Sequence, residues 1–233
     1  VDRPELSCRF GDPRALVAES TVNATYVHSE LLRCFAPSAD EVRATADWST
    51  DFDDGLVPSR AVLLGDAKVT DGSLVLTAAK PGQHGGLLLE PVNRGARYFA
   101  ARFHAMLGAG SGGDGMSFCY GDLSLTAPFD ESGATSGLCV RLRTHTFLSL
   151  EITCNGTLLA GTRIGGAIRA GSFVPVTLRR DHGGGAVATF EAGMDAETVS
   201  VRVSEAELSP LYAPTDAWRF GFGARCGQFG DAH

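Results

Sequence analysis

The chain has 233 residues, 20 Lys and Arg against 27 Asp and Glu for a formal charge of −7, and 44% hydrophobic and 20% charged residues. That length suits one large β domain plus a smaller segment, and the composition excludes wholesale disorder. The acidic balance, with Lys68 and Lys80 as the only lysines and no Lys/Arg cluster, argues against a nucleic-acid footprint, and no apolar run approaches the ~20 residues of a membrane span.

In chain order, Val1-Asp2-Arg3-Pro4 reads as mature sequence rather than as a signal peptide. Cys8-Arg9-Phe10 leads to a Gly11-Asp12-Pro13 turn. Strand-like Val22, Thr25-Tyr26-Val27 and Leu31-Leu32-Arg33-Cys34 follow, up to a stop at Ala36-Pro37-Ser38. Asp40 to Thr45 is a polar connector. From Trp48 onward the chain reads as short strands separated by glycine turns, with no helical period over a long window. The clearest strands are Ser73–Thr77, Gly86–Leu89, Phe99–Leu107, Met116–Tyr120, Leu138–Arg143, Leu148–Cys154, Val174–Arg179, Val187–Phe190, Val199–Val203 and Phe220–Cys226. Turn signals such as Asp54-Gly55, Asp71-Gly72, Asn155-Gly156 and Gly183-Gly184-Gly185 divide them. Many short antiparallel strands without intervening helices predict an all-β sandwich.

Six cysteines, none in CxxC or CxxH spacing, fit an oxidising compartment better than a zinc site. Asn23 (NAT) and Asn155 (NGT) are N-glycosylation sequons. Both features point to a secreted or cell-surface setting. Cys8 and Cys34 are expected to pair within the first segment. For the other four, strand parity discriminates, because side chains meet across a ladder only on one face. Cys119 lies with Ser117 and Cys139 with Arg141 and Arg143, away from the apolar face. Cys154 shares a face with Leu150 and Ile152, and Cys226 with Phe220 and Phe222. The expected bridges are therefore Cys119–Cys139 and Cys154–Cys226.

Two resemblances follow from longer strings. CRFGD…VNATYVHSELLRCFAPS resembles the C-terminal part of an IPT/TIG immunoglobulin-like domain, assigned to residues 1–40. An N-terminal extension with a disulfide hairpin is the alternative. GAGSGGDGMSFCYGD resembles the sugar-facing loop of concanavalin-A-like lectin domains. SGLCVRL, LEITCNGT, SFVPVTLRRD and WRFGFGARCGQFGDAH follow in that family's order over 46–233. The resemblance implies a two-sheet antiparallel jelly-roll sandwich. It also implies a further strand returning to the first one. The chain stops at His233, so the domain is expected to lack its last strand, and both ends look like cuts in a longer polypeptide.

The catalytic motifs of this architecture are missing. No E-x-D-x-x-E string supplies paired carboxylates, and Glu151 stands alone between Leu150 and Ile152. Asp51, Asp53 and Asp54 read as a solvated turn, and His104 and His145 as surface histidines. No serine has a G-x-S-x-G setting, and Gly110–Gly115 lacks the Lys-Ser/Thr of a phosphate cradle. An enzyme is not expected.

The resemblance makes Asp114, after Gly113, the residue that would accept sugar hydroxyls. Capping of the Gly112-Gly113 turn is the equally weighted alternative. Where the family carries cation ligands, this chain has Arg141, Arg143 and His145, so no metal and no cofactor are expected. The same three residues project beside Ser117 and suit acidic sugars or a protein carboxylate. The expectation is a non-enzymatic structural or adhesive module of a large extracellular or cell-surface glycoprotein, ciliary filaments included. It would contact other chains or domains of an extracellular assembly, or glycans. A metal-independent lectin is the alternative, and a glycoside hydrolase a distant one.

Overall fold

A computed structural model describes residues 48–92, 95–108, 114–144, 148–165, 171–181, 184–191 and 198–227, together with the backbone of four short strands between residues 7 and 33. The chain forms two compact units, Val1–Ser49 and Thr50–His233. In the first, β1 (Ser7–Phe10) pairs antiparallel with β2 (Ser20–Asn23), and β3 (Thr25–His28) with β4 (Leu31–Arg33). The expected Cys8–Cys34 bridge and the side chain of Asn23 lie outside the described residues.

The second unit is the sandwich that the alternation calls for. Its larger sheet has seven strands: β5 (Ala61–Gly65), β8 (Gln83–Pro91), β10 (Gly115–Gly121), β11 (Leu138–Arg143), β12 (Ser149–Cys154), β13 (Thr157–Arg163) and β17 (Arg219–Cys226). They run in the order β13-β12-β11-β10-β17-β8-β5. The smaller sheet takes β9 (Phe99–Ala105), β14 (Val174–Asp181), β15 (Gly185–Glu191) and β16 (Thr198–Val203), in the order β16-β15-β14-β9. A separate hairpin joins β6 (Lys68–Thr70) to β7 (Ser73–Val75). Every pairing is antiparallel.

The two inner faces interdigitate as alternating apolar rows. Phe118, Tyr120, Val140, Leu142, Leu150 and Ile152 from the larger sheet meet Val176, Leu178, Ala188 and Phe190 from the smaller, all buried. Aromatic edges lock the layers: Phe99 stands 5.0 Å from Phe220 and Phe103 5.0 Å from Phe222, both T-shaped. The Asp71-Gly72 and Asn155-Gly156 signals sit at left-handed φ angles (51° and 68°, 49° and 75°) at the tips of the β6–β7 and β12–β13 hairpins.

Four elements go beyond the sequence reading, the three-residue strand β6 among them. Strands β5 and β13 are half-exposed edges whose burial does not alternate cleanly, so period 2 was weak there. Helix α1 (Glu205–Leu208) is one turn closed by a Ser204–Glu207 capping box, too short to show a period.

Cys119 and Cys139 are direct cross-strand partners and form a disulfide. The Cys154–Cys226 expectation is corrected. Cys154 stands across from Leu138, Leu138 from Tyr120, and Tyr120 from Phe220. The two cysteines are thus three strands apart laterally, about 14 Å, and six residues apart along β17, about 20 Å. A disulfide spans Cα atoms roughly 4–7 Å apart. Parity was right and distance decided against it. Both side chains are buried, and burial raises the Cys154 thiol to about 11.

Candidate functional site

The outer face of the larger sheet carries the residues singled out in the sequence, and the segment between β10 and β11 folds back across it. Two small residues make room. A Cβ on Gly223 would lie 2.1 Å from the Phe129 carbonyl oxygen, and one on Gly86 3.3 Å from Pro128. Ser117 Oγ, between Arg141 and Gly223 in the ladder, donates to the Asp130 carbonyl at 2.6 Å and fixes the segment. Beyond it, Leu88, Leu123 and Ala134 bury the disulfide. The Ala134 N–H points at both sulfurs, at 3.3 and 3.4 Å.

This cover delivers Asp130 and Glu131 beside Gly115, which itself stands between Arg143 on β11 and Arg225 on β17. The Arg225 guanidinium gathers three carboxylates. Nε donates to Asp114 Oδ2 at 3.0 Å, Nη2 to Glu131 Oε1 at 2.9 Å, and Nη1 lies 3.8 Å from Asp130 Oδ2. One strand further, Arg141 Nη2 pairs with Glu151 Oε2 at 3.0 Å, and Glu151 Oε1 accepts from Ser149 Oγ at 2.7 Å.

Burial tunes these groups. It pushes the Glu131 carboxyl above its ordinary value, with the Asp130 charge adding and Arg225 opposing. Burial lowers Arg141, against the pull of Glu151. Burial also works to lower Arg225, but the charges of Glu131, Asp114 and Asp130 outweigh it and raise the guanidinium.

The register puts Arg141 and Arg143 on the face of Ser117, and Asp114, just before β10, meets that face through its bond to Arg225; Gly113 and His145 lie outside the described residues. Asp114, read as a turn cap or a ligand acceptor, has its carboxylate bonded to Arg225. Arg225, Asp130, Glu131 and the Glu151 pairing were missed. The signal for Arg225 was the outward alternation Gly221, Gly223, Arg225 opposite Phe220, Phe222 and Ala224. The Arg141–Glu151 pair needed only the β11–β12 register. Asn155 also has an unforeseen role: its Oδ1 accepts from the Gly137 N–H and its Nδ2 donates to the Leu211 carbonyl, both at 2.8 Å.

The donor set does not fit a resident divalent cation. A cation among Asp114, Asp130 and Glu131 would have to displace the guanidinium that already neutralises them, next to Arg141 and Arg143. Among the described residues no three His, Cys, Asp or Glu side chains converge as a metal site requires. Each carboxylate of the cluster has an arginine nitrogen within 4 Å.

No protein-family profile and no curated protein matches the sequence. Solved structures do match in three dimensions. The metal-free exoplasmic/lumenal domain of VIP36 superposes with a TM-score of 0.63 at 19% identity, over 77% of this chain and 84% of that one. Its Ca²⁺- and mannose-bound form gives 0.62 at 19%, over 74% and 79%. Arcelin-5, a lectin-like defense protein from Phaseolus vulgaris, gives 0.61 at 14%, over 76% and 90%. At such identities the likeness establishes the fold: the second unit is a concanavalin-A-like sandwich of the kind used by L-type lectin domains.

Proposed function

We propose that the chain is a non-enzymatic recognition module of a lumenal, extracellular or cell-surface glycoprotein, holding other chains or domains of an assembly or their glycans without a cation. In this reading residues 1–40 are the end of an IPT/TIG-like domain, 46–233 form the lectin-fold unit, and Asn23 and Asn155 carry N-glycans. Ciliary surface filaments are one such assembly. The observation that supports it is the closure of Asp114 by Arg225: the carboxylate at the mouth of the sheet serves the fold and needs no metal. The fold supports the glycan side of this reading, since the solved structures it resembles include a mannose-bound form of the VIP36 domain and the carbohydrate recognition domain of Emp47p.

A metal-independent lectin is the second reading. It is favoured by Arg225, whose side chain is 45% exposed and offers a guanidinium to solvent beside Arg143. A glycan array run with and without EDTA tests both, using the wild type and an Asp114→Ala/Arg141→Ala variant. A blank array, or EDTA-insensitive binding, agrees with cation-free recognition. Loss of that binding in the variant selects the lectin reading. Binding that requires Ca²⁺ overturns the proposal.

A further inference from the structure

The outer face of the smaller sheet is built on another plan. Strand register lays two rows across it. In one, Ala100, Arg179, Val187 and Arg202 stand side by side from β9 to β16. In the next stand Arg102, Thr177, Thr189 and Ser200, with His104 beyond them opposite Pro175. Two open grooves of about 400 and 210 Å³ follow these rows. Arg102 and Thr177 line both of them, Arg179, Thr189 and Arg202 the second.

Charge sets this face apart from the rest of a chain whose net charge is −7. Arg102, His104, Arg179 and Arg202 are exposed. Among the described side chains of the face, Asp181 is the only acid, 2.8 Å from Arg179 Nη2. Arg102 and Arg202 make no ion pair among the described residues. Arg179 and Arg202 are two strand spacings apart, about 10 Å, with Arg102 on the flank, so the guanidinia are spread along a track rather than focused on one point.

We propose that this face binds an extended glycan bearing oxyanions, a carboxylated or sulfated polysaccharide, independently of the reading given to the opposite face. Arginine forks suit such groups because they meet two oxygens at once. Between the forks, the floor of Thr177, Thr189 and Ser200 presents hydroxyls in a row that can exchange hydrogen bonds with sugar oxygens. Within the two rows the described side chains include no aromatic ring for stacking nucleic-acid bases and no large apolar anchor of the sort that centres protein interfaces; Phe173, 52% exposed, lies beyond them, just before β14.

The intact chain is passed over immobilised heparin and immobilised polygalacturonate, with neutral dextran as control, at about 0.1 M salt. Retention on one or both polyanions, release by added salt and no retention on dextran are expected. The two polyanions distinguish sulfate from carboxylate. Arg102→Gln/Arg179→Gln/Arg202→Gln is expected to weaken binding by roughly tenfold or more, while Arg60→Gln, at an exposed pair elsewhere, leaves it unchanged. Thr177→Val/Thr189→Val keeps the charge and is expected to weaken polysaccharide binding, which separates this site from a merely basic surface. No retention of the wild type, or equal retention of the triple arginine variant, overturns the proposal. So does soluble polyglutamate that competes as well as the polysaccharide.

Discussion

The two outer faces of the sandwich follow the same alternation of inward apolar and outward polar residues, yet they dispose of their charges in opposite ways. On the larger sheet, Arg225 and Arg141 are each matched to carboxylates, and residues 128–131 lie over Gly86, Gly223 and Ser117. On the smaller sheet, Arg102 and Arg202 face open grooves with no acid set against them among the described residues. Apolar packing constrains only the inner layers. What an outer face does depends on whether a loop returns to cover it, and among the described residues one face is closed by its own chain while the other is left open.

The largest effect is expected where that cover sits. Gly223→Val places side-chain carbon against the Phe129 carbonyl, where even a Cβ would be 2.1 Å away, so backbone must move. Overpacking of this kind costs about 3 kcal/mol, read as a lower midpoint in thermal or denaturant unfolding. Ser200→Val on the open face is expected to change stability by about 0.5 kcal/mol or less. Equal midpoints for the two variants would mean that the cover does not seat on Gly223.

The Cys119–Cys139 bridge anchors the same cover. It joins residues 20 apart in sequence. Its removal in Cys119→Ala/Cys139→Ala is expected to cost about 3 kcal/mol, chiefly through a freer unfolded chain. Reduction of the wild type should lower the midpoint similarly, while no response to reductant would show that the bridge contributes little.

Much of this was legible before any coordinates. Alternation placed Cys119 and Cys139 on the outer face, and Asp71-Gly72 and Asn155-Gly156 announced their hairpins because few residues tolerate positive φ at both turn positions. Parity does not report distance along a strand or across a sheet, which is why Cys154 and Cys226 were paired wrongly. Strand order was equally invisible. β17 inserts between β10 and β8, so Arg225 meets Asp114 although 111 residues separate them. Glu131 lay in a loop with no period to read, and contacts across the sheet face, the Ser117–Asp130 and Arg225–Glu131 bonds, say where it goes. The smaller sheet's arginines were scattered singly through the sequence, and pairing alone gathers them.

Arg225→Ala tests the closed face directly. It leaves the buried Glu131 without its partner, but Arg225 is half-exposed, so screening limits the loss to about 1–2 kcal/mol. Adding Glu131→Gln to that variant should recover part of it, because the orphaned charge disappears. Strict additivity of the two substitutions would show that the pair is not coupled.

The smallest effect is also the most specific, because it depends on pH. Glu131 is 4% exposed and its carboxyl is raised by burial, helped by Asp130 and opposed by Arg225. A raised carboxyl holds its proton more tightly in the folded than in the unfolded chain. Between the ordinary and the raised value the native state therefore binds more protons. This group's contribution to stability is complete below the ordinary value and is lost as pH rises through the raised one. Glu131→Gln removes the titration and keeps an oxygen for Arg225. At neutral pH the variant is expected to be more stable than the wild type, by about 1 kcal/mol. The gap should close on acidification, as the wild-type carboxyl takes up its proton. A gap for Glu131→Gln that is constant with pH, or that favours the wild type at neutrality, would mean that the Arg225 pair outweighs burial.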